Sequence, residues 1–171
     1  RTKKKVQNEI INNDVKNNGI VSFLIKKTEL PDIYELYCDI DGTFPNHHPD
    51  PTVDSNLSDL QELVIKNNCD IGIAFDGDAD RIVVTDEKGR IIRSDILIAL
   101  FLPYVIKEGD SVVYDVKCSK ALEDMILSCK GNPIMWKTGH SLIKDKMKNE
   151  KAKFGGEMSG HIFFSDDYFG Y

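Results

Sequence analysis

Three carboxylates alternate with small residues in Asp76-Gly77-Asp78-Ala79-Asp80, and Arg81 follows at once. Side chains at i, i+2 and i+4 of a short loop can converge on one point. Three negative charges held that close repel one another unless a cation lies between them. An all-oxygen donor set suits a hard ion, Mg2+ before Ca2+. Three carboxylates leave positions of an octahedral ion open for water or a substrate phosphate, and Arg81 offers that phosphate a two-pronged donor. The competing reading is a solvated acidic turn between two strands. Asp76, Asp78, Asp80 and Glu87 also fall at positions 1, 3, 5 and 12 of an EF-hand calcium loop. Position 6 of that loop requires glycine and here is Arg81, and the flanks read as strands, so the EF-hand is rejected.

A second candidate is Gly155-Gly156-Glu157-Met158-Ser159-Gly160-His161. Glu157 and Ser159 are two apart and can face the same way, which suits vicinal sugar hydroxyls. His161 could move a proton near neutral pH, which makes it a candidate general base. The alternative is a glycine-rich hairpin with ordinary polar tips. Asp115-Val-Lys117-Cys-Ser119 and Trp136-Lys-Thr-Gly-His140-Ser141 each stand where a strand gives way to a helix. In open α/β sheets ligands bind outside the carboxyl ends of strands, and helix N-termini favour phosphate. Lys117 and His140 are therefore candidate ligand contacts, whereas Lys137 reads as a solvated charge and His47 and His48 as turn residues. Asp39-Ile-Asp41-Gly-Thr43 resembles the nucleophile motif of the haloacid dehalogenase superfamily. Against that reading, Pro45, Pro49 and Pro51 make the following loop extended and rigid.

The elements that must position these residues follow from periodicity. Tyr34, Leu36, Cys38 and Ile40 alternate and predict a strand. Residues 55–67 predict a helix, with Ser58 and Gln61 resembling a capping box. Residues 70–75 and 81–85 predict strands on either side of the acidic loop. Ser94 is expected to cap a helix running toward Gly109, kinked or shortened at Pro103. Strands are expected at 112–116, 133–136, 152–154 and 162–164, and helices at 120–129 and 141–150. Val6, Ile10, Ile11 and Val15 have loose helical spacing, residues 20–27 form a short apolar segment, and a polar, aromatic tail follows residue 164. The alternation predicts an α/β fold with a largely parallel sheet. The natural boundary lies near residues 92–95, giving two small α/β domains with mixed or parallel sheets, 1–92 and 93–171.

Composition narrows the function classes. The 171 residues carry a formal net charge of −6, which weakens a general nucleic-acid-binding reading. The charge is uneven: residues 31–80 hold 12 acidic groups against Lys66 alone. Four scattered cysteines without a C-x-x-C pair fit a reducing cytoplasm better than a disulfide framework. The longest apolar run, residues 96–106, falls short of the roughly 20 residues a membrane span needs. The opening Arg1 suggests a piece of something longer.

Taken in order, Asp-Gly-Thr-Phe-Pro-Asn-His-His-Pro-Asp-Pro, Phe-Asp-Gly-Asp-Ala-Asp-Arg, Asp-Val-Lys-Cys-Ser, Trp-Lys-Thr-Gly-His-Ser-Leu-Ile-Lys and Gly-Gly-Glu-Met-Ser-Gly-His resemble the α-D-phosphohexomutase family. The resemblance runs from about Leu36 to Tyr171. It implies four-domain enzymes that interconvert hexose 6-phosphate and hexose 1-phosphate through an enzyme phosphoserine. It implies Mg2+ on Asp76, Asp78 and Asp80, with the phosphoserine as a further ligand. It implies phosphosugar contacts from Arg81, Lys117 and His140, sugar-hydroxyl recognition by Glu157 and Ser159, and His161 as the candidate general base. The substrate would be a mannose or glucose phosphate. Residues 1–30 lack the clean strand and glycine-rich turn expected at the start of the second domain, and no serine lies in a loop like the family's phosphoserine loop. The chain then reads as the two central domains, both incomplete and inactive alone. Its remaining partner would be a phosphoserine domain, possible on a separate chain. The alternatives are a phosphatase using Asp39 and Asp41, or a non-catalytic complementing fragment. Ala79 stands where the family more usually has glycine, a mild change if its φ is negative.

Overall fold

The computed structural model describes residues 33–39 and 41–165. The predicted helix near Val6–Val15, the apolar segment 20–27 and the aromatic tail beyond 165 lie outside the described residues.

Two sheets organise the rest. The first is built from β1 (Ile71–Phe75), β2 (Ile82–Asp86) and β3 (Ile91–Ile92), in the order β1-β2-β3 and antiparallel throughout. Among the described residues of this half, the parallel pairing expected from the alternation is not formed. The links are residues 76–81 and 87–90, too short for the crossover a parallel pair requires. Asp86 holds the second link with its own carboxylate, accepting the Lys88 and Arg90 amides at 2.9 and 2.8 Å. A 3-10 turn, Asp54–Leu57, leads into α1 (Ser58–Asn67), which lies on this sheet. Gly72 lets it approach. A Cβ there would stand 2.7 Å from Val64 Cγ2 and 2.4 Å from Thr85 Oγ1.

The second sheet has the order β5-β4-β6-β7, from β4 (Ser111–Asp115), β5 (Asn132–Trp136), β6 (Phe154–Gly156) and β7 (Ile162–Phe164). Here the parallel expectation holds for β5-β4-β6, and β7 returns antiparallel on β6. The crossovers are α3 (Lys120–Ser128) and α4 (His140–Glu150). Alternation along β4 divides the core. Val112 and Tyr114 face α3 and α2 (Ser94–Val105) with Ile98, Leu102, Leu122 and Phe154, while Val113 faces α4 with Ile143, Met147 and Phe163. The result is a three-layer α/β/α unit.

Local departures have local causes. Residues 33–39 form no strand: Tyr37 sits at φ +55°, outside extended geometry, and its hydroxyl donates to Asp59. Ser58 does not cap α1, because its hydroxyl donates backward to the Ser55 carbonyl, and Gln61 donates to the Gly89 carbonyl at 2.6 Å. Arg93, not Ser94, occupies the cap position of α2, and Pro103 lies in its last turn. Residues 152–153 are not yet strand, since Lys151 at φ +51° closes α4 and the Ala152 amide still bonds back to the Met147 carbonyl. No helix among the described residues is long and apolar enough to cross a membrane.

Candidate active site

The acidic loop closes the β1–β2 hairpin. Asp76, at 2% exposure, is its buried anchor. Arg81 grips it twice: the backbone amide donates to Oδ1 at 3.1 Å and Nε to Oδ2 at 2.6 Å. Burial pushes the Asp76 carboxyl up, and the Arg81 bonds and charge more than offset it, leaving it below the usual carboxylate range. Asp78 is raised instead by the charges of Asp76 and Asp80. One oxygen from each of the three carboxylates lies within 4.8 Å of the others. That mutual repulsion and the all-oxygen donor set fit a hard divalent cation such as Mg2+. The loop turns through Ala79 at φ +58°, with the Ala79 amide bonded to the Asp76 carbonyl at 3.1 Å. The negative φ that would have made this alanine a mild replacement is absent, so its Cβ is carried in left-handed geometry at a cost of about 1 kcal/mol.

The proline-rich loop belongs to this site as a wall. Phe44 and Pro49 lie against Gly77, and Asp50 accepts from Arg81 at 3.4 Å. Asn56 pins the loop by donating to the His48 and Asp50 carbonyls, each at 2.9 Å. Asp41 is consumed in its own turn, accepting the Thr43 amide and hydroxyl at 2.9 and 2.7 Å. Asp39 follows no strand. The phosphatase geometry, a nucleophile at a strand end, is therefore not formed.

The glycine-rich loop closes the β6–β7 hairpin and comes directly against the acidic loop. The Gly160 carbonyl accepts the Ile82 amide at 3.1 Å. Gly160 adopts φ +103°, and a Cβ there would stand 2.8 Å from the Ile82 carbonyl oxygen. His161 spans the junction. Its Nε2 lies 3.1 Å from Asp80 Oδ2, and its Nδ1 lies 2.9 Å from Glu157 Oε2 and 3.0 Å from Ser159 Oγ. Glu157, first and Asp80 with it, raise the His161 pKa against the opposing effect of burial. Glu157 is 1% exposed, and its Oε1 accepts the Gly139 amide at 2.5 Å, just before α4. Burial pushes its carboxyl up, but the bonds from His161 and Gly139 hold it low. His140 opens α4 with its ring 5.5 Å from that of His161.

The structure thus gathers Asp76, Asp78, Asp80, Arg81, Glu157, Ser159, His161 and His140 into one connected group. Lys117 is exposed at the carboxyl end of β4 and makes no hydrogen bond or ion pair among the described residues. Two carboxylates that organise the surroundings were not singled out from sequence. Asp115 is fully buried and accepts from the Cys118 thiol and the Thr138 hydroxyl, both at 3.1 Å, and from the Met158 amide at 3.3 Å. It ties the Lys117 turn, the segment before α4 and the glycine-rich loop to one point. Asp95 accepts the Ser119 amide at 2.9 Å. The available signal for Asp115 was a lone acid closing the apolar run Val112-Val113-Tyr114. Cys118 is no nucleophile, since burial first and Asp115 second push its thiol far up.

Comparison with known proteins agrees with this geometry. Residues 16–89 match the family description "Phosphoglucomutase/phosphomannomutase, alpha/beta/alpha domain II", and residues 93–170 match domain III of the same family. The chain is 50% identical over 141 residues to a phosphomannomutase/phosphoglucomutase of Pseudomonas aeruginosa, covering 81% of this chain and 30% of that protein. It is 48% identical over 142 residues to a phosphoglucomutase of Neisseria meningitidis, covering 82% of this chain and 31% of that protein. The crystal structure of a phosphoglucomutase/phosphomannomutase family protein from Burkholderia thailandensis superposes with a TM-score of 0.84 at 42% identity, over 90% of this chain and 34% of that one. The chain therefore spans about a third of the length of these relatives. With the acidic loop inside domain II and the glycine-rich loop inside the consecutive domain III, the chain belongs to the phosphoglucomutase/phosphomannomutase family.

Proposed function

We propose that this chain supplies the cation-holding and sugar-recognising parts of an enzyme that interconverts hexose 6-phosphate and hexose 1-phosphate. The observation that carries the reading is the bond between Asp80 and His161, which makes one site of an acidic loop and a glycine-rich loop 81 residues apart. Asp76, Asp78 and Asp80 would hold Mg2+. When bound, the ion would neutralise the carboxylates and draw charge from a phosphoryl oxygen, in keeping with phosphoryl transfer as positioning plus charge neutralisation. Lys117 and His140 meet the phosphosugar from the carboxyl side of the second sheet. Arg81 does so with the guanidinium nitrogen that neither Asp76 nor Asp50 engages. Ser159 contacts sugar hydroxyls from the loop tip. Glu157, expected from sequence to meet sugar hydroxyls, is instead buried with both oxygens engaged by Gly139 and His161, and serves the site by orienting His161. His161 is the group placed to move a proton.

The division of labour follows residues 1–92 and 93–171. The phosphoserine comes from residues outside these 171, on the same or a separate chain, so this polypeptide alone turns over little or no substrate. Mannose and glucose phosphates are both accepted as candidates, since the relatives carry both names. Four scattered cysteines with no C-x-x-C pair support a reducing, cytoplasmic setting. A coupled mutase assay primed with glucose 1,6-bisphosphate tests the reading. Background rates for the chain alone, and turnover on co-expression with a chain carrying a phosphoserine loop, support it. Turnover by the chain alone overturns the assignment of the phosphoserine to other residues.

A further inference from the structure

Asp80 divides its two oxygens between the two halves of the molecule. Oδ1 lies 3.9 Å from Arg81 Nε in the acidic loop, and Oδ2 lies 3.1 Å from His161 Nε2 in the glycine-rich loop. Arg81 already fixes Asp76 through both of its oxygens. Asp80 has no comparable anchor within its own loop and is 50% exposed. Its orientation is set from the other sheet. From His161 the bonding continues to Glu157 at 2.9 Å, and from Glu157 to the Gly139 amide at 2.5 Å, where α4 begins. Glu157 is buried and held at both oxygens, so it has little room to absorb a displacement of His161 without passing it on.

We propose that His161 is a positioning residue for the cation, holding the Asp80 carboxylate in place beside Asp76 and Asp78, and that cation binding is felt through His161 and Glu157 at the N-terminus of α4. This rests on the cation reading of the acidic loop. Residues that orient a metal's carboxylate or imidazole ligands typically change metal affinity 10- to 100-fold when removed. Coupling between two sites is reciprocal, so whatever occupies the glycine-rich loop also alters cation affinity.

The test uses the 171-residue chain. Mn2+ affinity is measured by electron paramagnetic resonance in the parent and in His161→Ala, and the Gly139 amide is followed by NMR during Mg2+ titration of both. The expected result is about tenfold weaker Mn2+ binding in His161→Ala, with a Gly139 shift that saturates with Mg2+ in the parent and vanishes in the variant. Equal Mn2+ affinity in a folded variant overturns the proposal while leaving the cation reading intact. So does a parent Gly139 amide unmoved by saturating Mg2+, a result that stands even if the variant fails to fold. A parent chain that binds no Mn2+ overturns the cation reading, and this inference with it.

Discussion

The two loops of the site stand on unequal foundations. The glycine-rich loop closes a hairpin at the edge of a sheet covered on both faces, with a packed cluster on each side of β4. The acidic loop closes a hairpin in a three-stranded sheet that α1 covers, and its strand β1 pairs on one side only among the described residues. Ile71, which starts β1, is 51% exposed. The difference teaches where rigidity comes from. The glycine-rich loop inherits its geometry from a core, whereas the acidic loop is held by polar contacts, the Arg81–Asp76 grip and the bonds to Gly160 and His161 among them.

The largest contrast is expected from one substitution made twice. Leu122 is wholly buried within the larger cluster, and Leu57, 1% exposed, belongs to neither cluster. Leu122→Ala should cost about 4–5 kcal/mol and Leu57→Ala about 2–3, since the cost rises with the cavity that cannot collapse. Urea unfolding of both variants checks this, and equal losses would break the comparison. Next is Asp115→Ala, which leaves the buried Cys118 thiol and the half-buried Met158 amide without their acceptor and should cost roughly 2–3 kcal/mol, read as a lowered urea midpoint. Asp76→Asn should weaken Mn2+ binding at least about tenfold, because it removes a ligand charge, while changing stability less than Asp115→Ala does. Electron paramagnetic resonance and urea titration separate the two effects. The smallest change is Ala79→Gly, which relieves left-handed strain and should stabilise the chain by about 0.5–1 kcal/mol. A neutral or destabilising outcome there would mean the acidic loop relaxes out of that conformation.

What was legible in the sequence follows the same division. Ile71, Ile73 and Phe75 alternate and do form a strand, and the elements 111–115, 120–128 and 132–136 were found to within about a residue. In those stretches burial and local periodicity agree. Strand direction in the first sheet was misjudged because alternation does not distinguish parallel from antiparallel neighbours; loop length does, and the link 76–81 was short enough to say so. Residues 34–38 alternate just as well, yet Tyr34 and Tyr37 remain exposed and no partner strand meets them among the described residues. Among site residues, the three aspartates were visible because their spacing is local. Asp115 was not, since its partners Thr138 and Met158 lie 23 and 43 residues away. The burial of Glu157 was equally hidden, because it depends on Gly139 and on the closure of the hairpin around it.

The central claim is that the acidic and glycine-rich loops form one phosphosugar site. Amide mapping of the chain with glucose 6-phosphate in the presence of Mg2+ tests it most directly. The account predicts concerted shifts, with one shared affinity, in residues 76–81 and in residues 157–161. Shifts confined to one loop, or two different affinities for the two loops, would contradict it.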